Sequence, residues 1–77
     1  MNKQRRASLQ KAMELIGEAR AIIEQAQEEE QECFDNMPEG LQMSERGEQI
    51  EEYANSLEEI ASYLEDQECE LDDIINA

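Results

Sequence analysis

The sequence predicts an all-α protein: an antiparallel two-helix hairpin that dimerises into a four-helix bundle. Apolar residues recur at alternating steps of three and four in both halves of the chain, the spacing of a helical seam. A single cluster of helix breakers separates the halves. The charges are polarised, because Lys3, Arg5, Arg6, Lys11 and Arg20, five of the six basic residues, precede position 21, and only Glu14 and Glu18 of the 21 acids do. The first twenty residues sum to +3 and the remainder to −18, giving −15. Seventy-seven residues with 39% hydrophobic content and only Phe34, Tyr53 and Tyr63 as aromatics make one domain, 1–77, whose core is marginal without an oligomer.

The first helix is expected over 3–34. One seven-residue row is Leu9, Ile16 and Ile23, the other Ala12, Ala19, Ala26 and Cys33, with Met13, Leu15 and Ile22 widening the stripe and Glu30 interrupting it. Small residues every seven positions permit close helix approach, so Cys33 is expected in the core. The loop, 35–43, contains Asp35-Asn36-Met37-Pro38-Glu39-Gly40. Pro38 drives Met37 out of the helical region and Gly40 eases the turn. Ser44 is expected to cap the second helix, 44–75, with Glu45 complementing its dipole; a start at Pro38 is the alternative register. The second seam is bulky: Ile50, Leu57, Leu64 and Leu71, flanked by Tyr53, Ile60 and Ile74 and by Ala54, Ala61 and Ile75. Gly17 and Gly47 each weaken a helix by about 1 kcal/mol relative to Ala.

A short loop forces the helices antiparallel, each about 48 Å long at 1.5 Å per residue. The basic first segment then lies beside Glu65, Asp66, Glu68, Glu70, Asp72 and Asp73. Exposed pairs contribute only ~0 to 1 kcal/mol each, but the pattern sets orientation. One interface leaves Leu15, Ile22, Tyr63 and Ile75 partly uncovered, which predicts a homodimer or higher homo-oligomer with closed symmetry. Leu9, Ile16, Ile23, Ile50, Leu57, Leu64 and Leu71 are its expected core.

At the loop end Glu28, Glu29, Glu30 and Glu32 run beside Glu45, Glu48, Glu51 and Glu52, relieved only by Arg46. Folding gains nothing from that repulsion. Glu28, Glu29, Glu32, Glu45, Glu48, Glu51 and Glu52 are therefore candidates for binding a basic partner, against the plainer reading of a solvated, solubilising face. Arg46 and Asn36, joined by Arg5 or Arg6 from a neighbouring subunit, are candidates for holding an anionic small molecule.

The chain has no histidine, which removes the commonest general base and metal ligand. No metal or cofactor is expected: in a calcium-loop alignment Met37 replaces an oxygen ligand and Arg46 the bidentate Glu. Enzyme activity is not expected. The acidic surface disfavours direct nucleic-acid contact and membrane binding, leaving Lys3-Gln4-Arg5-Arg6 as the one basic run. Two cysteines without a signal peptide or sequon point to a reducing cytoplasm. Cys33 near the loop and Cys69 near the free end stand too far apart to pair.

Cys33-Phe34-Asp35-Asn36-Met37-Pro38-Glu39-Gly40-Leu41-Gln42, followed by Ser44-Glu45-Arg46-Gly47, resembles the FDN-x-PE-x-LQ-x-S-x-x-G pattern of small helical proteins of bacteriophages and related mobile elements. The likeness covers about a fifth of the chain and implies an origin in a bacterial host cell, with no catalytic activity attached. It raises phage counter-defence above housekeeping. Three function classes follow: an inhibitor whose acidic face occupies a basic, nucleic-acid-binding cleft of a host defence protein; an oligomeric sponge for an anionic nucleotide signal; and a structural or assembly adaptor.

Overall fold

A computed structural model describes residues 1–77. Three helices follow in order, α1 (Lys3–Asp35), α2 (Glu39–Gln42) and α3 (Glu45–Ile75), and α1 and α3 lie antiparallel in a rod of 58 × 14 × 13 Å. Asn2 caps α1, its Oδ1 accepting the Arg5 N–H at 2.8 Å. The first turn of α1 holds no acid, an arrangement its own dipole disfavours. The C-terminal end of α3 compensates, since its acids and carbonyls sit alongside and Arg6 Nη2 donates to the Ala77 oxygen at 3.2 Å.

The segment expected as loop, 35–43, contains a helical turn, and its residues are bound in place. The Asn36 N–H donates to the Glu32 and Phe34 carbonyls and ends α1. Pro38, with φ −56° and ψ 145°, starts α2, so it does not open the long second helix. Gln42 Nε2 donates to the Phe34 carbonyl at 2.9 Å, tying α2 back to α1. Ser44 caps α3 by accepting the Gly47 N–H at 3.2 Å, while its hydroxyl donates to the Leu41 carbonyl. Gly47 is buried because α3 starts against the end of α2: a Cβ there would collide with the Leu41 and Gln42 carbonyl oxygens.

The seam is rotated from the expected one. Leu9, Ile16 and Ile23 do face α3, half-buried, and Ala12 and Ala26 are half-buried too, but the row half-buried throughout is Met13, Arg20, Gln27 and Phe34; Ala19 and Cys33 are exposed. The expected core place of Cys33 is thus corrected, because the seam of α1 is turned by about 50°, half the rotation of about 100° between successive residues. Two contacts hold that setting: Gln42 of α2 donating to the Phe34 carbonyl, and Arg20 reaching α3. On α3, Ile50, Leu57, Leu64 and Leu71 are half-buried as one row, and Gly47, Ala54 and Ala61 are the buried residues of the other. The close-approach row therefore belongs to α3 and not to α1. Tyr53, Ile60 and Ile74, expected to flank the seam, are exposed, whereas Ile75 is half-buried.

Candidate functional site

Two polar features depart from an ordinary helix pair, one inside the seam and one at its end. Inside, Arg20 Nε donates to Glu68 Oε2 at 2.5 Å across the hairpin and Nη1 to Glu24 Oε1 at 2.8 Å along α1. The hydrogen bond to Glu68, then that to Glu24, holds the guanidinium pKa above its ordinary value. Gly17 makes room for this pair, since a Cβ there would come within 2.9 Å of Glu68 Oε1. Spacing shows its trace: Arg20 continues a seven-residue row from Met13 to Gln27 and Phe34, and Glu68 continues Gly47, Ala54 and Ala61. A polar residue in each row at one level of an antiparallel pair is the signal that would have found them.

At the loop end, Glu28, Glu29, Glu32, Glu45, Glu48, Glu51 and Glu52 are all exposed. None has a cationic partner, for Arg20 makes both ion pairs of the molecule. The antiparallel arrangement places the C-terminal end of α1 and the N-terminal end of α3 side by side, so these carboxylates share one pole. Unpaired acids at close range repel one another, by an amount that salt reduces, and a basic surface is the chemistry that fits them.

Arg46 is exposed and lines a small cavity of about 270 Å³ with Cys33, Met37, Leu41, Ser44 and Ile50. Its walls are chiefly apolar, so an anion seated there would meet one guanidinium and little else. Asn36 ends α1 with its backbone N–H, and its exposed side chain is not among the residues lining that cavity. Arg5 and Arg6 lie at the opposite end of the rod, where Arg6 binds the Ala77 oxygen, and one chain does not bring them to Arg46. No group of three carboxylates and thiols is arranged to hold a metal ion, and no helix is long and apolar enough to cross a membrane. Cys33 and Cys69 are both free and exposed.

The turn residues that resemble the mobile-element pattern have structural work: Phe34 and Gln42 bind each other, Ser44 bridges α2 and α3, and Gly47 permits their contact. A particular turn is thus required for folding, whether or not a ligand binds there. No protein-family model matches this chain, and no curated protein or solved structure is similar to it.

Proposed function

We propose that this chain is a non-enzymatic counter-defence protein of a bacteriophage or related mobile element, acting in the cytoplasm of the bacterial host. As an acidic helical homodimer it binds and inhibits a host defence protein by occupying a basic cleft of the kind that takes nucleic acid. One observation carries the reading: seven exposed carboxylates gather at one end of the rod without a cation among their partners. Such a pole raises the encounter rate with a basic surface and makes binding steeply salt-dependent. Dimerisation is supported by surface: the chain exposes 5816 Å², against about 4,800 Å² for a folded monomer of its mass, and only Ala54 and Ala61 form a buried apolar core.

The test is affinity capture from bacterial lysate with the wild-type protein and with Glu45, Glu48, Glu51 and Glu52 all changed to Gln. A basic protein captured at low salt, released at high salt and lost with the neutralised variant is expected. Capture that survives neutralisation sinks the reading.

A second reading, a sponge for an anionic nucleotide signal, rests on exposed Arg46 beside an apolar cavity. It requires a nucleotide to raise the melting temperature by mass action and Arg46→Ala to abolish the rise.

A further inference from the structure

The hairpin has two unlike faces. Counting rotation from the seam at about 100° per residue, Leu15, Ala19, Ile22 and Ala26 project to one side of α1, and Tyr53, Ile60, Gln67 and Ile74 to one side of α3. Both sets precede their seam residues in the helical rotation, and the helices run oppositely, so the two sides fall on the same face. The groove between them is flanked by Ala26 and Glu30 on α1 and by Tyr53, Ser56 and Leu57 on α3. The opposite grooves hold Glu24, Glu58, Glu65, Glu68, Asp72 and Asp73. Leu15, Ile22, Tyr53, Ile60 and Ile74 leave between 47% and 71% of their surface in water, an apolar face that calls for a covering partner, while Tyr63 turns outward to a polar groove with Glu58, Glu59 and Asp66.

A second hairpin can close over that face in two ways, with the two-fold axis along the rod, loop to loop, or across it, loop to free end. We infer that the apolar face takes a second copy of this chain running the opposite way, with the two-fold crossing the hairpin at the level of Ala19 and Gln67. The inference rests on the dimer proposed above and adds its orientation. Ala19 and Gln67 share a level because their neighbours Arg20 and Glu68 are ion-paired.

A transverse two-fold stacks each helix antiparallel on its own copy. A residue some positions before the centre then meets one the same number after it. Ala12 and Ala26 lie seven positions either side of Ala19, and Ile60 and Ile74 seven either side of Gln67. These pairs share one centre, while Leu15 and Ile22 meet the seam residues Ile23 and Ile16 of the other copy and Tyr53 lies beyond the overlap. Gln67, half-buried, meets its own copy, and two amides can hydrogen-bond reciprocally.

Charge favours the same arrangement. Residues 20–66, on the loop side of that centre, carry −13, while 1–19 with 67–77, on the free-end side, carry −2. Loop-to-loop pairing sets the two loop halves against each other. The transverse dimer sets each loop half against a free end, with Arg5 and Lys11 of one copy level with positions 33 and 27 of the other, the stretch that holds Glu29, Glu30 and Glu32. The surface excess of about 1,000 Å² over the monomer scaling matches the ~800 Å² that each partner contributes to a stable interface. The carboxylates left uncompensated are then Glu45, Glu48, Glu51 and Glu52 of α3.

Spin labels at the loop tip decide the orientation. Gly40 is exposed and a Cβ there meets nothing within 4 Å, so Gly40→Cys in a Cys33→Ser, Cys69→Ser background carries the label without disturbing packing; exposed Glu39→Cys is the second site. The transverse dimer places the labels about 55 Å apart, twice the span from Ala19 to the tip at 1.5 Å per residue. A distance of about 20 Å or less overturns the orientation and leaves the dimer intact. A monomer mass in sedimentation with no dipolar signal overturns the dimer and the inference together.

Discussion

At the scale of residues, the three glycines hold unlike posts. Gly47 lies where α3 begins against the α2 carbonyls, and a Cβ would strike backbone oxygens that no side-chain rotation can move. Gly47→Ala therefore lowers stability by about 1–3 kcal/mol, as overpacking does, despite the better helix propensity of Ala. Gly40 faces open space, so Gly40→Ala raises stability by about 0.4–1 kcal/mol through the unfolded state. Urea denaturation followed by circular dichroism measures both, and equal effects of the two substitutions would refute the assignment. Gly47 could be read from the sequence only as a weakness in a helix, because the collision that requires it lies between elements.

Between elements, the Arg20–Glu68 pair sets how α1 and α3 slide and turn against each other. A pair of charges within an apolar seam costs desolvation and is weak evidence for stability, yet removing one member strands the other. Arg20→Met leaves Glu68 without its cation beside Gly17 and lowers the melting temperature; Arg20→Met with Glu68→Met recovers most of the loss, since Glu24 is solvated enough to stand alone. Failure of the double substitution to recover would mean that the pair contributes net stability and more than orientation. The helices themselves were legible: the apolar steps of three and four, Ser44 as cap and the breakers around Pro38 reflect local chemistry. Which face of α1 meets α3 was not. The apolar stripe from Ala12, Leu15 and Ile22 round to Met13 covers about half the helix, so the Ala12–Cys33 row and the Met13–Phe34 row both fit the spacing.

For the whole molecule, charge dominates. A rod of net charge −15 with seven unpaired carboxylates at one pole is destabilised by its own field, and added salt screens it, the Debye length falling from about 30 Å at 0.01 M to about 10 Å at 0.1 M. The melting temperature therefore rises with sodium chloride over this range, and Glu48→Gln with Glu51→Gln reduces the rise. A melting temperature that falls with salt would show attraction across the hairpin outweighing repulsion at the pole. The acidic pole was visible in the sequence because the antiparallel topology follows from the short turn, and topology alone puts Glu28–Glu32 beside Glu45–Glu52. The exposure of Leu15, Ile22 and Tyr63 was visible too, but the single face that Leu15 and Ile22 share with Tyr53, Ile60 and Ile74 was not, since it depends on the rotation of both helices.

What the sequence determined by itself was helix, turn and polarity, each the product of residues within a few positions of one another. Tertiary structure decided the rotation of α1, the exposure of Cys33, the burial of Gly47, Ala54 and Ala61, and the apolar face left exposed along Leu15, Ile22, Tyr53, Ile60 and Ile74. The physical reason is the breadth of the apolar stripes: spacing along one helix fixes its stripe, but only contact between helices selects the part of that stripe to be buried.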